Sequence, residues 1–141
     1  MIVLDSDHLS VLKYEESPLC RRLLQRMEAS PDRDFATTIV CVEEQMRGWL
    51  ALIHRRKDAL EQVRCYLELE ALLRFFQKWR VLSFDRSSAD RFDQLRRQRI
   101  RIGTQDLKIA AIVLEQDALL LSRNTVDFER VPGLRVESWL D

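Results

Sequence analysis

Two hydrophobic rhythms alternate along the chain. Short apolar runs are separated by longer stretches in which apolar residues return every three or four positions. Met1 to Leu4 is too short for a helix, is partly β-branched and ends at Asp5, so it predicts a buried strand. Asp7 to Tyr14 predicts a short helix with Leu9 and Leu12 inward. Ser17-Pro18 is a helix start, with Ser as cap and Pro in the first turn. Leu19, Leu23, Leu24 and Met27 then form a helical stripe that stops at Ser30-Pro31. Phe35 to Ile39 reads as a second strand running into a helix that carries Glu43, Glu44 and Trp49. Asp58 to Trp79 predicts a long amphipathic helix or helical pair, with Leu60, Val63, Leu67, Ala71 and Phe75 on one face.

Val81 to Phe84 reads as a short strand, after which Asp85 caps a helix bearing Phe92 and Leu95. Gly103-Thr104 opens another helix through Leu107, Ile109, Ala110 and Val113. Leu119 to Leu121 is a strand, Val131 to Leu134 a turn, and Arg135 to Trp139 a last strand with alternating sides. Strands alternating with helices require crossover connections. The prediction is therefore a three-layer α/β/α sandwich around a mostly parallel sheet. Ligands of such sheets bind outside the carboxyl ends of the strands, which makes any acidic residue at a strand end a candidate.

Composition narrows the class. At 141 residues the chain fits one domain, and with three glycines and three prolines it shows no linker. Basic and acidic side chains balance at 23 each, so a nucleic-acid site would have to be a local basic patch beside a local acidic one. Cys20, Cys41 and Cys65 form no CxxC pair and read as small buried hydrophobes in a reducing cytosol. Asp5 and Asp7 interrupt the only apolar run near the N-terminus, so neither a secretory signal nor a membrane span is expected.

The acidic positions carry the candidate chemistry. Asp5 ends the first strand on a rigid mount, and either it or Asp7 could also cap the following helix. Glu43 and Glu44 lie in the first turns after the second strand, where a solvated helix face is the plain alternative. Asp106 lies in the first turn of the Gly103-Thr104 helix, where it could simply complement the helix dipole. Asn124 and Asp127, after the Leu119 to Leu121 strand, could be turn or cap residues. Taken together, these positions offer the oxygen ligands that Mg²⁺ or Mn²⁺ requires. Such an ion can orient a water, lower its pKa and stabilise charge developing on a phosphate.

Four segments, in order, resemble PIN-domain proteins, specifically the VapC-type toxins of bacterial toxin–antitoxin pairs. Met1 to Ser10 looks like the opening strand and its first acid, Asp5. Thr38 to Gly48 looks like the segment whose Glu lies four residues before a Gly, which selects Glu44 over Glu43. Ile102 to Ala111 is similar to the third motif, with Asp106 as third acid, and Leu121 to Leu134 to the fourth, with Asn124 where many PIN domains carry Asp. Ser122 stands where Thr is common and keeps a hydroxyl.

The resemblance implies a single PIN-like nuclease domain over 1–141. It implies a metal-dependent endoribonuclease in which Asp5, Glu44 and Asp106 hold Mg²⁺ or Mn²⁺ and Asn124 completes the catalytic set. It further implies an RNA substrate, a homodimer, a small antitoxin protein that blocks the site, and a cytoplasmic setting.

Three rivals share features of this pattern. Asp5-Ser6-Asp7 has the D-x-D shape of a haloacid-dehalogenase-type phosphatase, but Leu9 stands where that chemistry wants Thr or Val. A receiver domain also gathers acids at strand ends, but it needs a separate mid-chain strand-end Asp and a strand-end Lys that find no clear candidate here. A non-catalytic PIN-like module would bind RNA or protein without cutting. Arg96, Arg97, Arg99 and Arg101, just before the Asp106 motif, are either solvated surface or a phosphate-gripping edge. His8 and His54 have no Ser or Cys partner in a readable arrangement. Trp49, Trp79 and Trp139 suit core or dimer packing better than base stacking.

Overall fold

The computed structural model describes residues 1–13 and 16–141. Its elements run β1 (Ile2–Leu4), α1 (Ser6–Leu12), α2 (Pro18–Ala29), β2 (Phe35–Thr38), α3 (Ile39–Arg55), α4 (Ala59–Gln77) and β3 (Arg80–Leu82). They continue with α5 (Arg86–Arg97), α6 (Thr104–Glu115), β4 (Leu119–Leu121), α7 (Thr125–Phe128) and β5 (Arg135–Glu137). The five strands form one sheet in the order β3-β2-β1-β4-β5, and every neighbouring pair is parallel. The chain first winds outward from β1 through β2 to β3, then returns across the sheet to β4 and winds the other way. Right-handed crossovers of opposite direction put α1–α4 on one face and α5–α7 on the other. The predicted three-layer α/β/α sandwich is the observed architecture.

β1 lies at the centre with Ile2, Val3 and Leu4 all buried, which is why it reads as a continuous apolar run. α6 is covered nearly all round: Leu107, Ile109, Ala110, Ala111, Ile112 and Val113 are buried. Local chemistry fixes several boundaries. The Asp5 side chain accepts from the Ser6 N–H, so α1 begins at Ser6. The Thr38 hydroxyl accepts from Cys41 N, which ends β2 at Thr38 and places Ile39 in α3 instead of the strand. Ser17 and Asp85 cap α2 and α5 as expected, accepting from Cys20 N and Ser88 N.

Other expectations shift. Trp79 lies beyond the end of α4, β3 begins at Arg80 and stops at Leu82, and β5 stops at Glu137. The end of the helix predicted from Asp7, at Tyr14, lies outside the described residues.

The larger correction concerns α4. Most of its regular apolar stripe faces outward: Leu60, Val63 and Leu67 are 80%, 51% and 57% exposed and Ala71 is exposed too, whereas Phe75 at its end packs partly buried against the core. The residues that α4 buries are Cys65, Leu72 and Phe76, which occupy a different face. On α2, likewise, Leu23 is buried but Leu24 is exposed. All three cysteines are buried, and Trp49, Trp79 and Trp139 pack against the core as partly buried residues. Among the described residues, no helix is long and apolar enough to cross a membrane.

Candidate functional site

The winding reverses between β1 and β4, and it is at such a switch point that a crevice opens above the carboxyl ends of the strands. Asp5 follows β1 there and Ser122 follows β4. The main chain holds this edge firmly. Asp5 N donates to Leu121 O at 2.9 Å, and Ser122 N donates to Glu137 O at 2.9 Å. One side chain bridges the two strands, as the Ser122 hydroxyl donates to Asp5 Oδ2 at 2.8 Å. Asp5 Oδ1 accepts from Ser6 N at 2.7 Å, and the Cys41 thiol approaches the same oxygen at 3.7 Å.

Glu44 is brought in by α3. Its Oε2 accepts from the Ser6 hydroxyl at 2.8 Å, so Ser6 connects the first and second predicted acids. Glu43, one residue earlier, turns outward and accepts from Gln105 Nε2 at 2.8 Å. Asp106 lies in the first turn of α6, and its Oδ2 accepts from the Asn124 amide at 3.1 Å. The same amide donates to Asp127 Oδ2 at 3.1 Å. Asn124 occupies the N-cap position of α7 but makes no side-chain cap bond, because its side chain is committed to these carboxylates.

The electrostatics set these residues apart. Burial, then the charge of Asp7, pushes Asp5 up to about 6 from an ordinary value of 3.8, and Glu44 adds to the rise. Glu44 is raised by burial and by the charges of Asp106 and Glu43, although the bond from Ser6 opposes this. Asp106 is raised by burial, then by Asp127 and Asp7, against the bond from Asn124. All three selected acids therefore sit where a negative charge is disfavoured. Burial and the Asp5 charge push the Cys41 thiol up to about 12, so it is a neutral neighbour and not a nucleophile.

Asp7 behaves differently. Burial acts to raise it, but bonds from the His8 side chain and from the main chain of Arg123 and His8 outweigh that and lower its pKa. His8, which has no partner legible in the sequence, is fully buried and bonds Asp7 Oδ1 through Nδ1 at 2.6 Å. Ser6, His8 and Ser122 are thus the site residues that the sequence reading did not assign. Ser122 was visible as a hydroxyl in the fourth motif. Ser6 and His8 carried no signal, because their partners Glu44 and Trp139 lie 38 and 131 positions away.

The donor chemistry of this edge suits a hard divalent cation. Three carboxylates with raised pKa values are the oxygen donors such an ion takes, and its charge would relieve their mutual repulsion. The residues fit in type. Among the described residues, however, no three His, Cys, Asp or Glu side chains are grouped closely enough to hold a metal ion. Ser6 links Asp5 to Glu44, Asn124 holds Asp106, and like charge couples Glu44 to both other acids. Ser6, Ser122 and Asn124 donate to Asp5, to one oxygen of Glu44 and to one oxygen of Asp106. Of the basic segment, Arg96 and Arg97 close α5, and Arg101 is tied to the turn after α7 by a bond from Arg130 Nη1 to its carbonyl at 3.0 Å.

The parallel five-stranded sheet, its helical layers and the acids at its carboxyl edge define a PIN-like α/β/α domain, and this is the fold of VapC proteins. The chain is 32% identical over 69 residues to the tRNA(fMet)-specific endonuclease VapC of Salmonella typhimurium strain LT2. That stretch is 46% of this chain and 52% of the relative, so the match spans about half the length of the curated relative. Solved structures match over nearly the full length. VapBC2 from Rickettsia felis, bound to a DNA fragment from its promoter, aligns with a TM-score of 0.72 and 19% identity over 99% of both chains. VapBC-1 from nontypeable Haemophilus influenzae aligns with a TM-score of 0.71 and 20% identity over all of both chains. No family model matches the chain.

Proposed function

We propose that this chain is a metal-dependent endoribonuclease of the VapC type, acting as a single nuclease domain and as the toxin of a toxin–antitoxin pair in the cytoplasm. The observation that supports this most directly is the set of three carboxylates with raised pKa values at the switch point of a parallel sheet. In this reading Asp5, Glu44 and Asp106 hold Mg²⁺ or Mn²⁺, and Asn124 orients Asp106 through its amide. The ion, when bound, activates water and offsets charge on the phosphate. The protein's own part is to fix Asp5 between Ser6 and Ser122, and to keep Glu44 in reach through Ser6. The exposed arginines of the α5–α6 connection supply phosphate contacts without sequence reading.

Two partners belong to this reading. The matched solved chains come from VapBC assemblies, which supports a small antitoxin protein. The outward apolar face of α4, with Leu60, Val63 and Leu67, is the kind of surface that a partner or a second copy covers. A phosphatase of the haloacid-dehalogenase type is disfavoured by one feature: both oxygens of Asp7 are occupied, so it is not available as an acid or base.

The test is cleavage of a panel of structured RNAs by the purified chain in Mg²⁺ or Mn²⁺, with EDTA as control. An initiator tRNA belongs in that panel because the Salmonella relative is named for it. Metal-dependent endonucleolytic cuts are expected. Metal binding without cleavage of any RNA would replace this reading with the non-catalytic PIN-like module.

A further inference from the structure

One proton at Ser122 has two carboxylates to choose from. The hydroxyl lies 2.8 Å from Asp5 Oδ2 and 3.4 Å from Asp7 Oδ2, and it can donate to only one of them. One of its lone pairs is engaged as well, since Asn124 N donates to it at 3.1 Å. What decides the direction of that proton is whether Asp7 is already satisfied.

Asp7 is satisfied from both sides. Oδ1 accepts from His8 N at 2.7 Å and His8 Nδ1 at 2.6 Å, and Oδ2 accepts from Arg123 N at 2.8 Å. The far side of the imidazole is fixed too. Trp139 N donates to His8 Nε2 at 3.1 Å, so Nε2 carries a lone pair and the ring proton is on Nδ1, aimed at Asp7. Trp139 is itself anchored. The Arg26 guanidinium lies 4.7 Å from its ring, Phe35 meets it edge-on at 6.4 Å, and its indole N–H donates to Glu137 at 2.8 Å.

From this chain of contacts we infer that Asp7 and His8 are a positioning pair. They fasten the turn between β4 and α7 to the segment after β5, and so hold the Ser122 hydroxyl on Asp5 and the Asn124 side chain on Asp106. The inference rests on the nuclease reading for its consequence but not for its geometry. The hydrogen bonds of the His8 ring go to Asp7 and Trp139 and not to the three acids assigned to the metal. Without its ring, Asp7 loses its strongest partner, the Ser122 proton turns to Asp7, and Asp5 and Asn124 lose the bonds that orient them. Both ring nitrogens are paired in a fully buried site, Nδ1 to Asp7 and Nε2 to Trp139 N, and it is the Nδ1 contact that holds Asp7.

Two variants test it. His8→Leu removes both ring contacts. His8→Asn places an amide N–H near the position of Nδ1 and keeps the bond to Asp7, but gives up the acceptor for Trp139 N. The first readout is amide hydrogen exchange by NMR on the metal-free protein. In His8→Leu, the amides of Arg123, Asn124 and Trp139 are expected to exchange at least tenfold faster, while Ile112 in α6 is unchanged. In His8→Asn only Trp139 speeds up. The second readout is RNA cleavage with Mg²⁺ or Mn²⁺. His8→Leu should lose at least tenfold in kcat at unchanged KM, and His8→Asn should recover most of the loss.

Unchanged protection of Arg123 and Asn124 in His8→Leu would overturn the pair, as would cleavage at the wild-type kcat. If His8→Leu does not fold, His8→Asn decides: accelerated exchange at Arg123 along with Trp139 would overturn the proposal. Should the wild-type chain cut no RNA while the exchange pattern appears as described, the pair stands and the nuclease reading fails.

Discussion

Asp5 and Asp7 lie two residues apart on the same turn of chain, and burial works to raise both, yet their surroundings drive them in opposite directions. Around Asp7 every oxygen has a donor, and one donor is a buried imidazole; its pKa is lowered. Around Asp5 the donors are a serine hydroxyl, a main-chain N–H and a weak thiol, while Asp7 and Glu44 add like charge; its pKa is pushed up to about 6. The fold completes one half of the edge and leaves the other with charge to be neutralised. Structural carboxylates are satisfied by the protein itself, whereas carboxylates kept for a ligand are not.

The largest effect that would break this comparison is on activity. Asp5→Asn keeps the size of the side chain and its capping role, since Asn caps about as well as Asp. The Ser122 hydroxyl can accept from the new amide where it formerly donated. A hard divalent cation finds a neutral amide a much poorer ligand. RNA cleavage should fall below detection while the melting temperature in EDTA at pH 7 rises, by up to about 3 kcal/mol of stability for a shift of the cited size. A fully active variant would return Asp5 to the role of helix cap.

Asp7→Asn should act with the opposite sign on stability. One end of the amide must present N–H groups to the donors of Arg123 or His8, which leaves a buried donor unpaired. A loss of about 1–3 kcal/mol is expected by chemical denaturation. Its effect on cleavage should be smaller than that of Asp5→Asn. If Asp7→Asn stabilised the protein, the contrast between the two acids would be lost.

The pH dependence sharpens the same point. Asp5 has a folded pKa above its unfolded one, so the folded state binds the extra proton. Its unfavourable contribution is absent below about pH 4 and complete above about pH 6, and stability falls with rising pH across that window. Asp7 has a depressed pKa, so its favourable contribution is present above its ordinary value of 3.8 and is lost as pH falls through the lower folded value. Metal-free Asp5→Asn should therefore flatten the decline between about pH 4 and 6, and Asp7→Asn should remove part of the acid limb. Millimolar Mg²⁺ or Mn²⁺ should raise the melting temperature of the wild type at pH 7, by about 2.7 kcal/mol if the ion is at a hundred times its Kd, and leave Asp5→Asn unmoved. A melting temperature indifferent to both ions would count against the metal site.

The sequence carried the layered fold because period and boundary chemistry are local: an all-buried strand at Ile2 to Leu4, caps at Ser17 and Asp85, and an apolar helix after Gly103 each announce themselves. It misdirected at α4, where Leu60, Val63 and Leu67 form a regular stripe that the fold leaves outside. Helical spacing shows that a face is apolar but not what covers it. In the candidate site, Asp5, Glu44, Asp106 and Asn124 stood out in the sequence by their places at strand ends and helix starts. Their spacers did not, because the bonds from Ser6 to Glu44 and from Ser122 to Asp5 join residues 38 and 117 positions apart. His8 was illegible for the same reason, as its second partner, Trp139, lies 131 residues away.

The smallest expected effect separates two neighbouring glutamates. Glu43 and Glu44 are adjacent on α3, and only the spacing to Gly48 distinguishes them in the sequence. In the structure Glu43 is exposed; its bond from Gln105 and the charge of Arg47 lower its pKa, while Glu44 is half-buried, held by Ser6 and raised. Glu43→Gln should leave cleavage within about twofold of wild type and the melting temperature nearly unchanged, since exposed ion pairs contribute little. Its residual effect should shrink further in high salt. Glu44→Gln, in contrast, should weaken Mn²⁺ binding measured by calorimetry and lower cleavage with it. The two variants differ by one position and carry the same change in charge. Equal behaviour would mean that the α3 turn acts on the RNA only through net charge. A loss at Glu43 with Glu44 unaffected would move the second acid one residue earlier and rotate the site to the outer face of α3.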